Sequence, residues 1–152
     1  MEIISTCKNN YNNMEKKIFK INTGWTEDNF CCSLESPEIN GAVLAANKTL
    51  EGLKAEFADA LRFHIEGCVA DGDDIPRYLI DGDYELEFIL DVPAILRNAE
   101  TFTTLTAISR VTGINKNQLS HYATGEKKAR PDKRVKIIEG LHEIGRRALA
   151  VF

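Results

Sequence analysis

The chain has 152 residues and a formal net charge of −4, and 43% of its residues are hydrophobic. This composition predicts a folded globular protein rather than a disordered one. No window approaches the roughly 20 apolar residues that a transmembrane helix needs. The Asn-rich start also lacks the apolar core of a signal peptide, so a cytoplasmic location is expected.

The four cysteines lack the spacing of a zinc or redox site. Cys31 and Cys32 are adjacent and would point to opposite faces of a strand, whereas Cys7 and Cys68 stand alone. Because there is no C-x-x-C pair, we expect free thiols in a reducing compartment. Neither a metal nor a cofactor is expected.

The overall charge hides an opposition between the two parts of the chain. Residues 1–92 contain 8 Lys or Arg and 18 Asp or Glu, a net charge of −10, whereas residues 93–152 contain 11 and 5, a net charge of +6. An asymmetry of this size predicts two units whose partners have opposite charge. The smaller, basic unit is the one suited to nucleic acid.

The acidic part, taken as residues 14–92 after a disordered leader at 1–13, has the pattern of an α+β fold. Short strands are predicted at 16–22, 29–34 and 42–46, with Thr23-Gly24 as a break, and a fourth strand at 84–90. An apolar stripe before the fourth strand predicts a helix that Thr49 or Asn47 caps and Gly67 ends. The predicted order is β-β-β-α-β, with Met1 and Met14 both open as the start codon.

The basic part, residues 93–152, is predicted to be all-helical. Pro93 marks its beginning, because proline fits poorly within a sheet and well in the first turn of a helix. Helices are expected at 93–99, 103–111, 115–123 and 132–149.

The stretch 105–125 has the features that a helix-turn-helix requires at fixed offsets. Ala107 is small enough for a close helix crossing, Gly113 can take the positive φ of a turn, and Ile114 can anchor that turn. Asn115 can then cap the second helix. Their agreement favours a DNA-binding motif over a helical domain that has this spacing by chance.

The second helix of this motif is predicted to bury Leu119 and Tyr122, which leaves polar side chains outward. The predicted base-reading residues are Lys116, Asn117 and His121, with Gln118 and Ser120 beside them. A basic loop follows Gly125, and the predicted contacts to the DNA backbone are Asn115, Lys127, Lys128 and Arg130. Through these residues, 103–145 resembles the Cro/repressor-type helix-turn-helix family, although Ala123-Thr124 stands where the family often carries an acidic residue.

Catalysis is not expected of this sequence. His64 lies on the predicted long helix without an evident Cys, Ser or carboxylate partner. The cluster of Asp71, Asp73 and Asp74 lacks the ligand spacing of a calcium loop. No phosphate-binding glycine loop and no nucleophile elbow occurs in the sequence.

The layout of the whole chain resembles the HicB antitoxin family over residues 15–150. The resemblance is carried by the run from Gly24 to Phe30 and by Lys48 to Leu53 at the start of a helix, whereas Ser36 to Gly41 replaces the family's Pro-Asp-x-x-Gly turn. It implies a small, truncated ribonuclease H-like N-terminal domain followed by a DNA-binding domain. The first strand lacks the acid that two-metal catalysis needs, so that fold would be inactive.

The resemblance implies two activities. The N-terminal domain would mask a small basic HicA-like toxin that cleaves RNA, and a homodimer or higher even oligomer would bind double-stranded operator DNA and repress its own operon. The charge of residues 1–92 independently suits a cationic partner. Candidate partner-binding residues are Asp71, Asp73, Asp74, Glu85 and Glu87.

Two other hypotheses remain open. The first is a stand-alone helix-turn-helix transcription regulator whose N-terminal domain senses a ligand or dimerises. The second is a metal-dependent nuclease that uses Asp71, Asp73, Asp74 and Asp83.

Overall fold

The computed structural model describes residues 15–151, so Met14, Cys7 and the leader predicted at 1–13 lie outside the described residues. Within this range the protein is a mixed α+β fold with a four-stranded sheet and six helices. The strands are β1 (Lys17–Thr26), β2 (Asn29–Ser36), β3 (Gly41–Asn47) and β4 (Tyr84–Leu90). The helices are α1 (Leu50–Ala70), α2 (Arg77–Ile80), α3 (Val92–Ala99), α4 (Leu105–Thr112), α5 (Lys116–Ala123) and α6 (Pro131–Leu149).

The sheet has the strand order β3-β2-β1-β4, and α1 covers one of its faces. β1 pairs antiparallel with β2 and parallel with β4. Alternate residues of β1, such as Phe19 and Ile21, are buried against Leu53, Phe57 and Leu61 of the helix. The apolar face of the strand, which repeats every two residues, and that of the helix therefore pack together in one layer. The opposite face of the sheet is not covered by α1.

β1 does not break at Thr23-Gly24 as predicted. The strand continues because Gly24 pairs with Cys31 in the antiparallel ladder with β2. The chain reverses instead at Glu27 and Asp28, which have φ values of 48° and 63°. Two consecutive residues with positive φ form the tight hairpin turn that matches the twist of antiparallel strands.

Both predicted capping residues contribute to the start of α1. The Thr49 hydroxyl accepts a 3.0 Å hydrogen bond from a main-chain N–H of the first helical turn. The Asn47 side chain in turn accepts a 3.1 Å bond from the Thr49 N–H. Gly67 does not end the helix as predicted, because the next residue, Cys68, is buried in the core and the helix continues to Ala70.

The short helix α2 was not predicted. Its residue Leu79 is 2% exposed and packs in the core beneath the sheet. A single helical turn is too short to produce an apolar periodicity in the sequence, so α2 could not be recognised from its pattern.

Helices α3 to α6 enclose a second, separate apolar core. Leu96, Ile108, Leu119 and Ile137, one from each of these helices, are fully buried there. α4 and α6 are in close contact at Gly140, where a Cβ would clash with the Cγ2 of Thr112. The crossing predicted at Ala107 is a different one, between α4 and α5, and Ala107 is half-buried there. The sequence did not indicate Gly140.

Gly140→Ala is expected to destabilise the fold by about 1–3 kcal/mol, because the added methyl group overpacks the contact between α4 and α6. Gly145→Ala on the same helix is the matched control, since a Cβ there meets nothing within 4 Å. That control should stabilise the helix by about 0.5–1 kcal/mol. Urea unfolding of both variants measures the difference, and equal stability would contradict the close crossing.

The two cores are joined through α3. Asp91 caps this helix by accepting a 2.9 Å bond from the Ala94 N–H, and Ala94 belongs to the core of the sheet while Val92 belongs to the second core. From α6, Arg134 donates a 3.0 Å bond to the carbonyl of Leu90 at the end of β4. The boundary predicted at residue 93 therefore lies inside the first turn of a helix that both cores share. None of the helices in residues 15–151 combines the length and apolar character that membrane crossing requires.

Candidate nucleic-acid interface

Helices α4 and α5 are joined by a short turn that has the predicted features. Gly113 takes the left-handed conformation with a φ of 72°, and Ile114 is 3% exposed and packs in the second core. The side chain of Asn115 caps α5 by accepting a 2.8 Å bond from the Asn117 N–H. The predictions for the glycine, the anchor and the cap are confirmed as local structure.

Two threonines that the sequence reasoning missed fix this helix pair. The Thr104 hydroxyl caps α4 by accepting a 3.1 Å bond from the Ala107 N–H. The Thr112 hydroxyl donates a 2.7 Å hydrogen bond to the Ile108 carbonyl and accepts a 3.2 Å hydrogen bond from the Ile114 N–H. A threonine directly before the turn glycine is the sequence signal that could have indicated this bridge.

The exposed side of α5 carries three of the predicted base-reading side chains without an internal partner. Leu119 and Tyr122 are buried as predicted, at 0% and 5% exposure. Lys116, Asn117 and Ser120 are exposed, and within residues 15–151 none of their side chains forms a hydrogen bond or an ion pair with the protein. These side chains can therefore donate to or accept from a ligand without first giving up an internal partner.

Gln118 and His121 are less available than predicted. The Gln118 amide donates a 2.6 Å bond to the Tyr122 hydroxyl, so one of its two N–H donors is used within the helix. The imidazole Nε2 of His121 lies 3.7 Å from the carboxylate of Glu126, and its Nδ1 is buried without a partner in the described part of the chain. Both residues are also half-buried, so they are less accessible to DNA than Lys116, Asn117 and Ser120.

The loop between α5 and α6 presents the predicted phosphate-binding cations. The loop begins at Gly125, which has a φ of 77°. The Lys127 N–H donates a 3.1 Å hydrogen bond to the His121 carbonyl, and this bond holds the loop against the end of α5. Lys127 and Lys128 are exposed, and neither is in an ion pair within residues 15–151. Arg130 is also exposed, although its Nε lies 3.8 Å from Asp132.

The acidic residues suggested for partner binding are exposed and belong to two separate segments of the chain. Glu85 and Glu87 lie on β4 and point away from α1, because the residues that alternate with them, Leu86 and Phe88, pack toward the helix. The other three belong to the loop that follows α1, where the Asp73 carboxylate accepts a 2.9 Å bond from Asn40. The remaining loop residues are Asp71 and Asp74.

His64 has a sulfur neighbour that the sequence reasoning did not identify. Its Nε2 lies 3.6 Å from the Cys68 Sγ, one turn further along α1, and 2.8 Å from the Ile39 carbonyl. A carbonyl accepts only, so Nε2 is the protonated donor and cannot take the thiol proton. Burial also raises the pKa of Cys68, which disfavours a reactive thiolate. The contacts to the Ile39 carbonyl instead link α1 to the short turn between β2 and β3.

Within residues 15–151, no three His, Cys, Asp or Glu side chains converge in the way that a metal ion requires. The nuclease hypothesis needs Asp71, Asp73, Asp74 and Asp83 to converge, so this arrangement gives it no support. No protein-family model, curated protein or solved structure matches the chain.

Proposed function

We propose that the chain is a DNA-binding transcription regulator in which α4, its turn and α5 form a helix-turn-helix. The observation that carries this proposal is the exposed row of Lys116, Asn117 and Ser120 on α5, which is held by a buried turn and has no internal partners within residues 15–151. Lys donates to guanine, Asn can pair with adenine through two hydrogen bonds, and Ser serves either base.

The loop after α5 supports the same proposal. Lys127, Lys128 and Arg130 supply exposed cations next to the reading helix, within a part of the chain that has a net charge of +6. Such contacts orient a protein on the duplex without selecting the sequence. Each phosphate that they neutralise adds about 0.9 to the slope of log affinity against log salt concentration.

The test is selection of a binding site from a random double-stranded DNA library by the full chain. We expect enrichment of one motif, and, if two copies bind as a dimer, a palindrome with half-sites about 34 Å apart. Footprinting on the enriched duplex then locates the major-groove contacts. A library that stays random after repeated selection at moderate salt would contradict the proposal.

We also propose that the acidic N-terminal part binds a small basic toxin of the HicA type, which would make the protein an antitoxin. Two observations favour this function: the β-β-β-α-β order of the sheet, with α2 added before β4, and the charge of −10 over residues 1–92. An acidic surface accelerates encounter with a cationic protein. Exposed carboxylates such as Glu85 and Glu87, which lie on the edge strand β4, contribute to this negative charge.

Purification of the tagged chain from its native host, followed by mass spectrometry, tests the antitoxin proposal. A small basic protein at near-equal stoichiometry is expected, and it should remain after nuclease treatment because the contact is between proteins. Recovery of the chain with DNA fragments alone would favour the stand-alone regulator, whose N-terminal part senses a ligand or dimerises.

A further inference from the structure

A cleft of about 890 Å³ lies between the sheet and the proposed DNA-binding part. Its floor is one cross-strand row on the face of the sheet opposite α1, formed by Ile89, Asn22, Ser33 and Leu44, one residue from each strand. Its opposite wall is the start of α6 and the basic loop that includes Lys127 and Lys128. A cleft of this volume at a junction between two cores is the usual position of a small-molecule site.

The composition of the cleft indicates the class of ligand. Apolar side chains line much of it, among them Leu44, Ile89, Val92, Pro93 and Ala129. The charged lining residues are three cations, Lys127, Lys128 and Arg134, and one acid, Asp91.

The polar groups of this lining differ in availability. The Asp91 carboxylate is occupied in capping α3, and Arg134 is bonded to the Leu90 carbonyl. None of the three lining cations is in an ion pair within the described range 15–151, and the two lysines also have no side-chain hydrogen bond there. The cleft is therefore net positive in a protein whose overall charge is −4.

We propose that this cleft binds a small organic anion with an apolar body, such as a medium-chain or aromatic carboxylate, and that the ligand lowers DNA affinity. The apolar body lies on the row from Ile89 to Leu44, and the anionic head pairs with Lys127 and Lys128. Those two lysines are also the proposed phosphate contacts, so ligand and DNA compete for the same cations. Only this effect on DNA affinity rests on the proposed function, because binding in the cleft does not require it.

The probe for the cleft is anilinonaphthalene sulfonate, an aromatic anion whose fluorescence rises in apolar sites, added to the full chain without DNA. We expect saturable binding of one molecule per chain, displaced by decanoate. Ser33→Trp, which fills the floor, should abolish it, and K127A/K128A should weaken it about tenfold. Phe63→Ala is the control, because Phe63 is 78% exposed on α1 and is the alternative apolar attachment point.

A matched pair at one exposed position tests the charge of the ligand. Leu44 is 71% exposed, so Leu44→Asp and Leu44→Lys remove the same apolar side chain without disturbing a core. The aspartate variant should bind the probe about tenfold more weakly than the lysine variant. Equal affinities, or probe binding that survives in a folded Ser33→Trp variant, would overturn the proposal.

The regulatory part is measured separately on the selected duplex. At 0.1 M salt, saturating decanoate should weaken DNA binding about tenfold for each phosphate that the ligand displaces from a lysine. Unchanged DNA affinity with the cleft occupied would overturn the regulation and leave the site. Failure of the chain to bind any duplex would instead overturn the proposed function, while probe binding would be unaffected.

Discussion

Replacing Lys116 and Asn117 together with alanine is expected to weaken binding to the selected duplex by about 100-fold, from two base contacts worth roughly 1–3 kcal/mol each. Both side chains are exposed at the first turn of α5 and neither supports the fold through its side chain. The free energy of unfolding should therefore change by less than about 0.5 kcal/mol. Fluorescence anisotropy with the selected duplex, together with urea unfolding, measures both quantities.

The matched control removes a lysine and an uncharged polar residue from the sheet. Lys20 and Thr26 are exposed on β1 and do not line the cleft next to the basic loop, so their replacement with alanine should leave DNA affinity unchanged. Retained affinity in the α5 variant, or an equal decrease in both variants, would mean that α5 is not the reading helix.

Replacing Lys127 and Lys128 with alanine should have a different signature. Binding to every duplex, selected or scrambled, should weaken by a similar factor, because phosphate contacts do not depend on sequence. The slope of log affinity against log salt concentration should fall by about 1.8, at 0.9 for each phosphate no longer neutralised. Titrations between low and moderate salt on both duplexes measure it.

A control of equal charge separates local contact from overall charge. Lys20→Ala with Lys48→Ala also removes two positive charges, but from exposed positions in the acidic part of the chain. If these substitutions lowered the salt slope as much as those in the loop, overall charge rather than contact with the loop would govern binding.

The elements that could be predicted from the sequence are those whose signal is local and periodic. The apolar stripe of α1 and the alternation of β4 each repeat often enough to define an element and its buried face. The turn before α5 was predictable for another reason. Gly113, Ile114 and Asn115 each meet a different steric or hydrogen-bonding requirement at consecutive positions.

The features that were not predicted depend on contacts between residues far apart in the sequence, or on tertiary contacts that outweigh the local conformational preference. Thr23-Gly24 has the composition of a break, yet pairing with β2 keeps it extended. In the sequence, Gly140 cannot be distinguished from any other helix glycine. Only the contact with α4 shows why a residue without a Cβ is needed there.

The sequence also could not predict which side chains of the candidate site are free of internal partners and so available to a ligand. Gln118 and His121 lie on the predicted polar face of α5, but Tyr122 and Glu126 engage them. The cleft is less local still, because its floor needs the register of four strands and its wall comes from a loop about 80 residues further along the chain than Leu44.

An amide NMR titration of the isotope-labelled full chain with the selected duplex tests most directly whether α5 is the DNA-binding element. We predict that the largest shift changes fall on residues 112–130, which cover the turn, α5 and the basic loop, and that the strands of the sheet change little. Changes concentrated on the sheet, with α5 unaffected, would contradict the assignment of α4 and α5 as a helix-turn-helix.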